Sequence, residues 1–386
     1  MTSQVQNPEL PDETDAIPTA SEERIYVASQ LQLMWWKFRK HRMAVISAIL
    51  ILLMYVVAII PGFLAPFDPN AHNSGFIFAP PQPIRFVDAE GNFHLRPFIY
   101  GLTGERDMDT LAMIYETDTS QMYPLHFFVR GASYKLLGFI ETDIHLFGID
   151  DPEGDVTMYL LGSDRNGRDL LSRMIYGTQI SMSIGLVGVL LSLVLGIFFG
   201  GISGYYGGAV DNIIQRLIEF LRSIPSIPLW LTLSAALPSD WTGLQIYLGI
   251  TIILSFVGWT GLARVVRGRF LSLREEDFVL AAQLYGASER RLIFRHMVPL
   301  FLSHIIASLT LAIPNMILSE TALSFLGLGL RPPTISWGVL LKEAQNVQSL
   351  ALAPWLFLPG IAVVVAVLAF NFLGDGLRDA ADPYAR

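Results

Sequence analysis

The stretch RVVRGRFLSLREEDFVLAAQLYGASERRLIFRHMVP, residues 264–299, is a charged connector between two long apolar runs. Its seven arginines and four acidic residues surround a short apolar core. The acidic residues at 275–277 favour the positive N-terminus of a helix, and Gly286 supplies a helix stop. Ser288 can cap a second short helix that ends near Pro299. The connector is therefore predicted to be a helix-turn-helix, the alternative being an amphipathic helix lying on lipid headgroups.

The apolar runs on either side of the connector set the class of protein. The chain has 386 residues, of which 52% are hydrophobic and 16% charged, and its mean hydropathy is +0.46. A soluble domain carries about a quarter charged residues, and about 20 apolar residues suffice to cross a bilayer. Runs of that length occur near 43–64, 178–205, 213–237, 244–266, 298–326 and 351–374. We predict an all-α integral membrane protein with six transmembrane helices.

The basic residues predict the orientation. Four of them, Lys37, Arg39, Lys40 and Arg42, precede the first run, whereas the residues that follow it up to 84 contain no Lys or Arg. The positive-inside rule places the N-terminus in the cytoplasm, and six crossings return the C-terminus there together with the connector at about 268–298. Residues 1–30 are acidic and lack apolar periodicity, which predicts a disordered cytoplasmic tail before a basic entry and first helix at 31–64.

Residues 65–161 are then extracytoplasmic. Strand-like pieces alternate in this segment with turn signals such as DAEGN at 88–92. We predict a small folded β-rich insertion between helices 1 and 2; the alternative is a loop without a core of its own. Residues 162–386 form the core membrane domain, with five transmembrane helices.

Two patterns inside the membrane runs carry structural or functional information. Small residues repeat at four-residue spacing and predict a face for tight helix packing: Ser192, Gly196, Gly200, Gly204 and Gly208. The third run holds the charged residues Arg216, Glu219 and Arg222. Two interpretations are open: salt bridges at the membrane interface, or a functional site. Candidates for a translocation path are the polar or kinked positions Arg222, Pro225, Pro228 and Glu320.

Several kinds of chemistry have no sequence support. A phosphate-binding loop needs GxxxxGK[ST], but the four lysines at 37, 40, 135 and 342 do not follow glycines. Neither HExxH nor GxSxG occurs, and the chain has no cysteine. We expect no catalytic residues, no metal site, no cofactor and no nucleic-acid partner.

The connector resembles the cytoplasmic loop of permease subunits of ATP-binding-cassette (ABC) importers. That loop has the pattern EAA, three residues, Gly, and about nine residues ending near Pro. Here Ala281, Ala282, Gly286, Ile293 and Pro299 match, whereas Leu280 stands in place of the leading Glu. Residues 161–181, 219–230, 325–338 and 374–383 and the basic WWKFRKHRMA at 35–44 are similar to the second permease of the peptide, nickel and opine branch, which also includes oligosaccharide importers.

The resemblance implies a type I ABC importer permease fold in the bacterial inner membrane. It implies as partners a second permease, two ABC ATPases that use ATP and Mg, and an extracytoplasmic solute-binding protein, with the lipid bilayer around the chain. The solute would be an oligopeptide or an oligosaccharide. Contact with the ATPases would fall on Asp277, Phe278, Ala281, Ala282, Gly286, Ala287, Ile293, His296 and Pro299. The rival hypotheses are an ion-coupled secondary transporter or channel without an ATPase partner, and a structural membrane scaffold.

Overall fold

The computed structural model describes residues 30–108, 113–150, 156–238 and 240–381. The tail predicted at 1–30 therefore lies outside the described residues, apart from Gln30 at the start of the first helix. The helices are α1 (Gln30–Lys40), α2 (Arg42–Ile59), α3 (Pro61–Leu64), α4 (Leu170–Tyr206), α5 (Gly208–Ser223), α6 (Ser226–Ala235), α7 (Gly243–Leu273), α8 (Asp277–Leu284), α9 (Glu289–Arg291), α10 (Leu302–Phe325), α11 (Trp337–Glu343), α12 (Val347–Leu352) and α13 (Leu358–Ala381).

Among the described residues, five helices are long and apolar enough to cross a membrane. They are Arg42–Ile59, Leu170–Tyr206, Gly243–Leu273, Ile305–Phe325 and Pro354–Ala380. The run at 213–237, for which the sequence predicts one span, is divided instead between α5 and α6. Ile224 is extended because the ring of Pro225 disfavours helical backbone at the preceding residue.

Helices α4 and α7 form a parallel pair at the centre of the fold. Tyr247 donates a hydrogen bond to Ser183 at 3.1 Å, and Ser255 donates one to the Gly188 carbonyl at 3.0 Å. From the first hydrogen bond to the second, the residue numbers increase in both α4 and α7, so the two helices run in the same direction. The surrounding core contains Met182 and Ile184 of α4, Ile250 and Leu254 of α7, Ile317 of α10, Trp337 of α11 and Phe370 of α13.

The small-residue stripe of α4 faces α7. A Cβ on Gly200 would lie 2.4 Å from the carbonyl oxygen of Ala263, and one on Gly204 would lie 2.7 Å from that of Arg267. A Cβ on Gly196 would lie 2.9 Å from the side chain of Leu262. Gly208 lies outside the stripe: α4 ends at Tyr206, and Gly208 opens α5 with φ +56° and no atom close to its missing Cβ.

Four antiparallel strands follow α3: β1 (Arg85–Val87), β2 (Phe93–Arg106), β3 (Met113–Leu136) and β4 (Ile140–Ile149). They pair in chain order, β1 to β4, as a meander. Hydrogen bonds attach this sheet to the chain on both sides of it. The buried His145 of β4 contacts the Ala65 carbonyl at 2.6 Å, and Gln82 bonds the Tyr100 carbonyl and the Tyr159 amide.

Candidate coupling surface and membrane cavity

The connector between α7 and α10 folds as two short helices around a glycine turn. Helix α8 ends at Leu284, Gly286 adopts φ +75°, and α9 begins at Glu289. A positive φ is strained for any residue with a Cβ, which explains the glycine at this position. A π-helical turn over Leu292–Met297 and a 3₁₀ turn over Val298–Phe301 then lead into α10.

The inner face of the connector is fixed to α7. Val279, Leu292 and Met297 are at most 1% exposed and pack with Val266 and Phe270 of α7. Three residues that the resemblance assigned to ATPase contact, Ala282, Ala287 and Ile293, lie half-buried against the same cluster. Val279 was not among the residues predicted to contact the ATPases. It anchors α8 to the membrane domain.

The outer face of the connector is apolar and exposed. Leu284 is 89% exposed and Tyr285 is 93% exposed, and both were absent from the predicted contact set. Phe278 and Leu280 are also exposed on α8. Of the remaining predicted residues, Asp277, Ala281, Gly286 and Pro299 are exposed and His296 is half-buried. We call the exposed side chains of Phe278, Leu280, Leu284 and Tyr285 the coupling surface.

Polar contacts join the connector to the end of α4, and α7 to the start of α5. Tyr206, the last residue of α4, donates a hydrogen bond to Glu289 of α9 at 2.6 Å. Arg267 of α7 donates from two guanidinium nitrogens to both carboxylate oxygens of Asp211 in α5. The bidentate geometry is the strongest form of an arginine–carboxylate pair. A displacement of the connector would therefore act directly on α4 and α7, and on α5 through α7.

A cavity of about 470 Å³ lies where α5 breaks into α6. Its wall comes from α4, the α5–α6 break, α7 and α10, and includes Ser192, Arg222, Trp230 and Asn315. Gly258 in its lining is the central residue of α7.

Two of the four predicted path residues, Arg222 and Pro225, line this cavity, whereas Pro228 and Glu320 are not in its lining. Glu320 is fully buried in α10 and accepts hydrogen bonds from Ser324 and Ser336 at 2.7 Å each. Ser336 is the N-cap of α11, so Glu320 holds the start of α11 against α10.

A buried charge cluster joins the stretch 161–181, which carries part of the family resemblance, to Glu343 at the end of α11. Arg168 donates to Asp164 at 2.6 Å and to Glu343 at 2.9 Å, and Arg173 approaches the same two carboxylates at 3.3 and 3.5 Å. These side chains are 1–9% exposed, and the two arginines balance the two acids. Burial raises the pKa of Glu343, and the arginines oppose that rise. The cluster fixes the start of α4 to the end of α11.

Within the described ranges, no group of three or more His, Asp or Glu side chains could hold a metal ion. The parallel α4–α7 pair, the cavity at the α5–α6 break and the exposed connector define a helical membrane transport component. Comparison with known families identifies the kind of transport component.

The model of the family "Binding-protein-dependent transport system inner membrane component" matches residues 192–386, and that of the "N-terminal TM domain of oligopeptide transport permease C" matches residues 29–81. The chain belongs to this family of inner membrane components and is the permease subunit of an ABC importer. The resemblance seen in the sequence is thereby confirmed.

Relatives with similar sequences are peptide permeases. The dipeptide transport system permease protein DppC of Haemophilus influenzae is 32% identical over 354 residues, which are 92% of this chain and 94% of the relative. The oligopeptide transport system permease protein OppC of Bacillus subtilis is 39% identical over 226 residues, 58% of this chain and 72% of the relative. A solved structure of the MetNI methionine ABC transporter, facing inward, aligns at 15% identity with a TM-score of 0.43, over 54% of this chain and 96% of that one.

Proposed function

We propose that this chain is the peptide-translocating permease subunit of an ABC importer and that its coupling surface binds a cytoplasmic ATPase. The observation that carries the proposal is the near-complete exposure of Leu284 and Tyr285 beside a turn fixed by Gly286. Large apolar side chains exposed on a short rigid helix are typical of a surface that a protein partner covers. The names of the Haemophilus and Bacillus relatives support a peptide rather than an oligosaccharide as the solute.

The partners in this proposal are a second permease, two ABC ATPases that bind ATP and Mg, and an extracytoplasmic binding protein. ATP-driven movement of the ATPases would displace the connector as a rigid body. The packing of Val279 on α7 and the Tyr206–Glu289 hydrogen bond would carry that displacement to the helices around the cavity. Arg222 and Pro225 would line the path, and the chain itself would perform no catalysis.

We further propose a type I importer fold with six crossings of the bacterial inner membrane. Because α4 and α7 run in the same direction, the chain between them has to return across the same thickness. Helices α5 and α6 together have 26 residues, so they are long enough for that return, at about 1.5 Å per residue. Both termini and the connector would then be cytoplasmic, and the β-sheet would be extracytoplasmic.

The proposal is tested by reconstituting the chain with and without its ATPases and following peptide uptake into liposomes. Uptake should require the ATPases and ATP. Uptake by the chain alone, driven by an ion gradient and indifferent to ATP, would falsify the proposal in favour of an ion-coupled secondary transporter.

A matched pair of variants tests the coupling surface. Leu284→Glu and Leu95→Glu introduce the same charge at two side chains that are each 89% exposed, one on α8 and one on β2. Leu284→Glu should release the ATPases in a pull-down, whereas Leu95→Glu should retain them. Equal retention by both variants would rule out the coupling surface as the ATPase contact.

A further inference from the structure

The cavity at the α5–α6 break has one charged residue in its lining, Arg222. Arg222 is in the last turn of α5, just before the break at Pro225, and the lining residues include no Asp or Glu. Its Nη1 atom lies 3.9 Å from the position that a Cβ on Gly261 would take, so the guanidinium extends along α7. Among the described residues, no carboxylate lies within 4.0 Å of this guanidinium.

The neighbouring arginine on the same helix, Arg216, has a carboxylate partner. Arg216 pairs with Glu219 at 2.7 Å, and its side chain is 83% exposed. An arginine at membrane depth is costly unless it faces water or an opposite charge, and such residues usually mark a pathway for substrate or ions. Arg222 is also exposed, but it lines the cavity and has no carboxylate partner among the described residues, so it is the arginine available to an anionic ligand.

Two further polar groups in the lining lack partners. Ser192 of α4 is 6% exposed, and its Oγ has no hydrogen-bond partner within the part of the chain that the structure describes. The same holds for the buried Nε1–H of Trp230 in α6. Buried donors in proteins are nearly always paired, because an unpaired one keeps the cost of losing water. The cavity thus presents one cation and two buried polar groups without a partner among the described residues.

We propose that this cavity holds the terminal carboxylate of a peptide during translocation, with Arg222 as the ion-pair partner and Ser192 and Trp230 as donors. This inference rests on the proposed import of peptides. Arginine suits the task because its guanidinium donates two parallel hydrogen bonds to a carboxylate. The volume of about 470 Å³ falls within the range of small-ligand pockets. A neutral oligosaccharide has no group that would compensate the cation.

The proposal predicts discrimination between a peptide acid and its C-terminal amide. Uptake of both is measured for the full importer in phosphatidylcholine liposomes, where no anionic lipid competes for Arg222. The variants are Arg222→Gln and, as the matched control, Arg216→Gln. One binding protein serves all variants, so its own preference cancels when acid-to-amide ratios are compared.

The acid-to-amide uptake ratio should fall about tenfold in Arg222→Gln, the expected effect of losing a charge-assisted hydrogen bond. In Arg216→Gln the ratio should equal that of the unmodified chain. An unchanged ratio in Arg222→Gln overturns the inference and leaves the import function intact. Absence of any ATP-driven peptide uptake by the unmodified importer overturns the proposed function itself.

A second measurement covers the case in which Arg222→Gln does not assemble. A single cysteine at Ser319, which lines the cavity, is labelled with an anionic sulfonate and with a cationic trimethylammonium thiosulfonate reagent. The chain has no native cysteine to interfere, and labelling is read on this chain by mass spectrometry. The anionic reagent should react faster, and the peptide acid should slow it more than the amide does. Equal rates with both reagents, or equal protection by both peptides, overturn the inference.

Discussion

At the residue scale, Gly286 is defined by its backbone conformation. It has φ +75° and no heavy atom within 4 Å of a Cβ position, so a side chain there meets strain and no clash. Gly268 of α7 also has open space but an ordinary helical backbone, which makes it the matched control.

We expect Gly286→Ala to weaken the turn by about 1 kcal/mol, because an alanine disfavours left-handed backbone. The variant should insert normally and retain less ATPase in a pull-down, with lower ATP-dependent uptake. Gly268→Ala should retain both. Normal coupling in Gly286→Ala would remove the argument that the turn geometry positions the ATPase contact.

Asp169, the N-cap of α4, predicts a pH dependence of stability. It accepts a hydrogen bond from the Ser172 amide at 2.7 Å, and burial raises its pKa to about 6. Since the folded-state pKa is above the unfolded value, burying the ionised carboxylate destabilises the fold above pH 6. That destabilisation is relieved progressively as the pH falls from about 6 towards 3.8, the ordinary pKa of an aspartate.

Asp169→Asn keeps a cap acceptor and removes the ionisation. We expect it to raise the melting temperature of the detergent-solubilised protein at pH 8, by an amount that shrinks towards pH 5. Asp150→Asn, at an exposed position, should show no such trend. A stabilisation by Asp169→Asn that is independent of pH would contradict the assignment.

At the scale of elements, the contact between α4 and α7 depends on the missing side chains of the stripe. Gly200 and its neighbour Gly201 differ in what a side chain would meet: backbone at Gly200 and an aromatic ring at ordinary distance at Gly201. A Cβ on Gly200 would be 2.4 Å from a backbone oxygen, whereas one on Gly201 would be 3.6 Å from the ring of Phe270.

Gly200→Ala should therefore force the two helices apart and destabilise the protein by about 1–3 kcal/mol, the usual range for overpacking. Gly201→Ala should be tolerated. The measurement is the thermal unfolding of the two variants in the same detergent. Equal stability of Gly200→Ala and Gly201→Ala would mean that the stripe does not set the spacing between the two helices.

At the scale of the whole molecule, topology is the central expectation. Single cysteines at Asn92 on the sheet side, Asp240 between α6 and α7, and Ser288 in the connector can be labelled without native background. An impermeant maleimide on intact spheroplasts should modify positions 92 and 240, and position 288 only after lysis. Labelling of position 240 only after lysis would show that α5 and α6 do not cross, and labelling of 288 from outside would separate the connector from any cytoplasmic ATPase.

The sequence by itself determined the class of protein, the five long apolar helices of the described residues and the helix-turn-helix connector. These features depend on the length of apolar runs, on local charge and on glycine and proline, all of which are properties of neighbouring residues. The effect of Pro225 on Ile224 is also a property of neighbouring residues. The sequence predicted a kink at this position, whereas the structure divides the run into α5 and α6.

Only the tertiary structure decided which residues meet. Arg168 and Glu343 are 175 positions apart, and nothing local distinguishes their pairing from other arginine–carboxylate combinations. Likewise, Arg222 and Glu320 are both charged residues in apolar surroundings, yet one lines the cavity and the other is buried between serines. The reason is physical: burial, pairing and desolvation depend on which helix faces pack together, and these faces come from distant parts of the chain.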